Sequence, residues 1–155
     1  LGDRMAEAFD WSFQEGATRT VLLGTDIPSL PAEHVRLAFR LLREKDLVLG
    51  PSADGGYYLI GLAAPASGMP VPDLFSSIRW STEWTRADTI AAAERSGLEV
   101  ELVEHCTDVD DAADLARLRS ELTTTVGVSR APRTTRVLRK VFPADKPPNT
   151  GGGSI

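Results

Sequence analysis

Apolar residues recur along this chain with two periods, and the alternation between them sets out the elements. In residues 4–15, Met5, Ala8, Phe9 and Phe13 fall at helical spacing, with Asp3 as the expected N-cap and Gly16 as the stop. RTVLLG (19–24) is an uninterrupted apolar run, the pattern of a strand buried on both faces. Pro31 opens a helix running to about Glu44, with Glu33 beside its N-terminal dipole and Val35, Leu37, Ala38, Leu41 and Leu42 on its apolar side. His34, inside that helix, is expected to be solvated.

DLVLGP (46–51) and YYLIGL (57–62) read as strands joined through SADGG, a spacing and composition that suggest a hairpin. Residues 63–80 are irregular. A helix is expected over about 84–96, stopped by Gly97, followed by a half-exposed strand at 98–103. A last helix spans 108–122. The order β-α-β-β-α-β-α predicts an α/β protein, a layered sandwich. Residues 1–122 form that domain. Residues 123–155 read as a basic linker and largely disordered tail, with a short basic helix at 134–142.

Composition narrows the picture. The chain has 155 residues, 42% hydrophobic and 25% charged, enough for one packed core. No run approaches the roughly 20 apolar residues that cross a bilayer, and the opening decapeptide is not a signal sequence. With a single cysteine, Cys106, an internal disulfide and a cysteine zinc cage are both excluded. A cytoplasmic protein is the expectation. Charge is uneven: residues 1–125 carry 11 Lys/Arg against 21 Asp/Glu, and residues 126–155 carry six against one. The overall charge of −5 argues against nucleic acid as a partner.

Three segments carry candidate chemistry. Thr25 and Asp26 follow the first strand, where α/β sheets collect ligands, and a carboxylate there suits Mg²⁺ or Mn²⁺. Asp26 could equally cap the turn at 27–30. Asp54, Gly55, Gly56 and Tyr57 could let a backbone approach a ligand closely, with Asp54 orienting a hydroxyl or acting as base. Asp-Gly is also an ordinary hairpin turn. Trp80 could stack on a ring, with Ser81 or Thr82 binding phosphate at a helix start. The alternative is a cap beside a core tryptophan. His105, Cys106, Asp108 and Asp110 cluster in sequence at no standard metal spacing. No Walker loop, G-x-G-x-x-G or G-x-S-x-G is present.

Taken in order, LGDRM, VLLGTDIPSL, DLVLGPSADGGYYLIGL, IRWST and DVDDAADL resemble a bacterial family. It is the glycosyltransferase-A-like group of radical-SAM/selenodomain-associated transferases, related to nucleotide-diphospho-sugar transferases. The likeness covers about residues 1–120. It implies a GT-A-type fold, a Rossmann-like three-layer sandwich on a mixed, mostly parallel sheet, with a nucleotide-sugar or nucleotide substrate and a divalent metal. It assigns the metal to Asp26, acceptor-side roles to Asp54, Gly55 and Gly56, and a W-S-T segment to Trp80, Ser81 and Thr82. Gly2 and Arg4 match the end of a loop near the nucleotide. Family members begin with a further strand and a glycine- and basic-rich loop, so the resemblance implies a fold incomplete at the N-terminal side, with impaired catalysis. The expected activity is metal-dependent glycosyl transfer to an unidentified acceptor. The alternatives are nucleotidyl transfer with release of pyrophosphate, and a non-catalytic remnant serving as an interaction module, for instance a homodimer covering the open sheet.

Overall fold

The computed structural model describes residues 1–66 and 69–143. Its elements are α1 (Gly2–Gln14), β1 (Arg19–Leu23), α2 (Ala32–Leu41), β2 (Leu47–Pro51), β3 (Tyr57–Ala63), α3 (Thr85–Arg95), β4 (Val100–Leu102), α4 (Ala112–Glu121), α5 (Thr125–Arg130) and α6 (Pro132–Val141). The four strands form one sheet in the order β1-β3-β2-β4. Strand β3 is antiparallel to both its neighbours, and β2 pairs with β4 in parallel. It follows that β1, β2 and β4 share one direction and β3 alone runs against them. The sheet is thus mixed and mostly parallel in direction, although two of its three ladders are antiparallel. The cause is local. Only residues 52–56 separate β2 from β3, a connection too short for anything but a hairpin.

Each face of the sheet is covered, giving three layers. On one face Phe9 of α1 and Ala93 of α3 pack with Leu47, Leu49, Ile60 and Leu62. On the other, Ala38 of α2 and Leu42 at its C-terminal cap pack with Val48, Leu59 and Val103. Phe9 is fully buried, so truncating it to alanine removes a contact set worth roughly 3–5 kcal/mol. Gly16 and Gly97 end their helices with positive φ, the conformation expected of such stops.

Several expectations change. Helix α1 begins at Gly2 with Leu1 as N-cap, so Asp3 lies in the first turn and makes no cap. Strand β1 is half-buried rather than enclosed, because among the described residues it lies at the sheet edge. His34 is buried, not solvated: it stands at helical spacing with Ala38 and Leu42 on the face that α2 turns to the sheet. Helix α4 starts only at Ala112. Asp111 caps it in a reciprocal capping box with Asp114, which leaves residues 108–110 in the preceding loop. Residues 123–133, read as linker, hold α5, and α6 follows with Pro132 in its first turn. Leu118, Leu122 and Ala131 join these helices in a cluster of their own, with Leu138 against it. The expected disordered tail falls on residues 144–155, outside the described residues. No helix among the described residues is long and apolar enough to cross a membrane.

Candidate functional site

Because β1, β2 and β4 point the same way, their carboxyl ends meet at one end of the sheet. Gly24 and Asp26 lie beyond β1, Ser52, Asp54 and Gly56 beyond β2, and Asp108 and Asp110 beyond β4. All of them line a single cleft of about 300 Å³. Open α/β sheets bind ligands at this end.

Three carboxylates converge there. Asp26, Asp108 and Asp110 each place an oxygen within 4.8 Å of the others. Backbone bonding explains the convergence. Past β4 the chain keeps alongside β2: Val103 N–H donates to Leu49 O at 2.9 Å, and Cys106 N–H donates to Pro51 O at 3.1 Å. Val109 N–H then donates to Asp26 O at 3.1 Å, which ties the two loops together. The far side of the loop is held by Asp114, whose carboxylate accepts the N–H groups of Asp110 and Asp111 at 3.1 and 3.2 Å.

Among the described residues none of the three acids is in an ion pair. Asp26 and Asp110 are exposed and Asp108 is half-buried. Burial, with the carboxylates of Asp110, Asp54 and Asp26 adding to it, pushes the Asp108 carboxyl above the usual range. An all-oxygen, acidic donor set of this kind fits a hard divalent cation such as Mg²⁺ or Mn²⁺.

The hairpin turn forms another wall. Asp54 Oδ1 accepts from Ser52 Oγ at 2.5 Å and from Gly56 N–H at 2.9 Å. The Ser52 hydroxyl above all holds the Asp54 carboxyl below its ordinary value. Gly55 has φ +88, and a Cβ there would stand 2.3 Å from the Glu83 carbonyl oxygen. Its own carbonyl accepts Arg86 N–H at 3.0 Å, so the turn is locked to the start of α3. Burial pushes the Tyr57 phenol up to about 12.

Trp80 and Ser81 close the remaining side. Trp80 packs against Phe75, ring centroids 6.4 Å apart, and against Gly2, where a Cβ would approach the indole to 3.0 Å. Ser81 has φ +58, the one positive φ outside glycine among the described residues. Its segment is anchored by Arg79, which donates Nε and Nη2 to the two Asp88 oxygens at 2.8 and 2.7 Å. Thr82 Oγ1 donates to Arg79 O at 2.8 Å, a turn-forming bond outside the cleft lining.

The structure therefore brings together Asp26, Asp54, Gly56, Tyr57, Trp80 and Ser81. Gly2 and Gly55 lie behind the wall as close-packed supports. Arg4, Thr25 and Thr82 are exposed and do not line the cleft. Sequence reasoning missed Asp108 and Asp110 as site residues. The available signal was an Asp-x-Asp in the loop that follows a strand. The sequence reading places both acids inside a helix over 108–122, whereas the helix begins at Ala112 with Asp111 as its cap. Tyr58 was missed too. It lines the cleft, while its hydroxyl donates to Glu104 O at 2.8 Å and lies 2.7 Å from His34 Nδ1 in the core on the α2 side.

Fold and cleft define an α/β protein with an acidic, cation-compatible site at the carboxyl end of its sheet. The chain belongs to the bacterial family described as "Uncharacterized protein conserved in bacteria (DUF2064)", whose model matches residues 1–82. It is also similar to the crystal structure of a "putative nucleotide-diphospho-sugar transferase" from Desulfovibrio desulfuricans G20. That likeness has a TM-score of 0.79 and 36% identity, and it covers 90% of this chain and 58% of the other. The chain thus spans a little over half the length of the structure it matches. No curated protein matches it.

Proposed function

We propose that this chain carries the metal and acceptor side of a glycosyltransferase that uses a nucleotide-diphospho-sugar. The observation that carries the reading is the meeting of Asp26, Asp108 and Asp110, from two loops tied by one backbone hydrogen bond, in an open cleft. The 36% identical neighbour, whose name gives a nucleotide-diphospho-sugar transferase, supports the class. Within that class, the motifs quoted above resemble the radical-SAM/selenodomain-associated branch.

The three carboxylates are the residues that would hold Mg²⁺ or Mn²⁺. The chemistry such an ion supplies when bound is neutralisation of the negative charge developing on a departing nucleoside diphosphate. Asp54, held ionised by Ser52, orients an acceptor hydroxyl through its less engaged oxygen. Its lowered pKa favours positioning over proton abstraction. Trp80 offers an apolar wall for a ring, and protonated Tyr57 offers a hydrogen-bond donor.

The test is product analysis with Mn²⁺ and a panel of UDP- and GDP-sugars. The reading expects a nucleoside diphosphate as product, lost in Asp26→Asn. Release of pyrophosphate from a nucleoside triphosphate and a phosphorylated acceptor would replace it with nucleotidyl transfer.

A further inference from the structure

Helix α6 has a face that the transferase reading does not use. Leu138, the buried Thr135 and Ala131 turn toward the body of the protein. The opposite side of α6 is cationic. Arg133, Arg136, Arg139 and Lys140 of α6 are all exposed, as is Arg130 at the end of α5, and no acidic residue occurs anywhere from Leu122 to Val141. None of these five cations is in an ion pair among the described residues.

Apolar groups stand among the charges. Val137 is 56% exposed and Val141 61%. Two adjoining grooves, which share Thr135 and Arg139, run beside α6. One, of about 510 Å³, has Leu122, Leu138 and Phe142 in its lining and Arg119 and Arg139 beside them. The other, of about 370 Å³, sets Val128 and Pro132 next to Arg136, Arg139 and Lys140.

We propose that α6 and its two grooves seat this protein on the surface of a bilayer containing anionic phospholipid. A phosphate in solution would use the cations and leave the valines without a role. A nucleic acid would do the same. A lipid surface uses both, because guanidinium and ammonium groups meet the headgroup phosphates while short apolar side chains enter the acyl boundary. The acidic remainder of the chain, with 21 Asp/Glu against 11 Lys/Arg over residues 1–125, is repelled by the same surface. That leaves the α6 end to make the approach. At ten residues the helix is too short to span and lies in the plane.

The experiment is co-sedimentation of the full chain with vesicles of phosphatidylcholine alone, or with about 30% phosphatidylglycerol added. The anionic vesicles should carry the protein down, and about 0.5 M salt should release it. The triple change Arg133→Glu, Arg136→Glu and Lys140→Glu should lower partitioning at least about tenfold with an unchanged circular dichroism spectrum. The pair Val137→Asp and Val141→Asp should lower it by a similar factor. If the triple variant does not fold, the salt titration of the wild type decides. Sedimentation with neither vesicle, equal sedimentation with both, binding that resists salt, or binding that survives the valine pair would overturn the proposal. So would duplex DNA that binds equally well whether or not the valines are present.

Discussion

Asp108 is held at an electrostatic cost, since it is half-buried with two other carboxylates within reach. Its carboxyl sits above the ordinary 3.8, so between that value and the raised one the folded state binds more protons than the unfolded. Stability therefore falls as pH rises through that window, and the penalty is present in full at neutral pH. Asp108→Asn should raise the melting temperature in metal-free neutral buffer, by the equivalent of no more than about 1 kcal/mol for so open a site. The gain should vanish near pH 3, where wild-type Asp108 is protonated, and reverse when Mn²⁺ is added. Calorimetry with and without the metal reads all three. A variant less stable than wild type in metal-free buffer would mean that Asp108 is structural. At this scale the sequence singled out Asp26 and Asp54 only as candidates, each with a turn as the competing reading, and both line the cleft. His34 was misjudged because its neighbours Ala38 and Leu42, which set the buried face, were read without placing His34 on the same stripe.

The elements themselves were largely legible, since apolar runs and capping residues act locally. The hairpin of β2 and β3 followed from the five-residue spacing, and the helix stops at Gly16 and Gly97 followed from glycine's access to positive φ. What local pattern could not supply was the position of β1 at the edge or the helical character of residues 125–130, both of which depend on what packs where. Gly55 gives a sharp test of element packing. Its positive φ and its closeness to the Glu83 backbone both exclude a side chain. Gly55→Ala should destabilise the chain by roughly 1–3 kcal/mol and loosen the junction of the turn with α3. Chemical denaturation should show this as a lowered midpoint. An unchanged midpoint would mean that the turn and α3 move apart at little cost.

At the scale of the whole molecule, strand direction explains the site. Three strands running one way deliver their loops to one end, and the β4 segment continues along β2 until Val109 meets Asp26. That long-range bond cannot be read from spacing, which is why Asp108 and Asp110 stood in the sequence as a pattern without a partner. The central claim is that these loops together make one cation site. The most direct measurement is a Mn²⁺ titration followed by electron paramagnetic resonance, on wild type and on Asp26→Asn, Asp108→Asn and Asp110→Asn. One site is expected in the wild type, with each substitution weakening it at least about tenfold, a loss of about 1.4 kcal/mol. Three variants that bind Mn²⁺ as the wild type does, or a wild type that binds none, would contradict it.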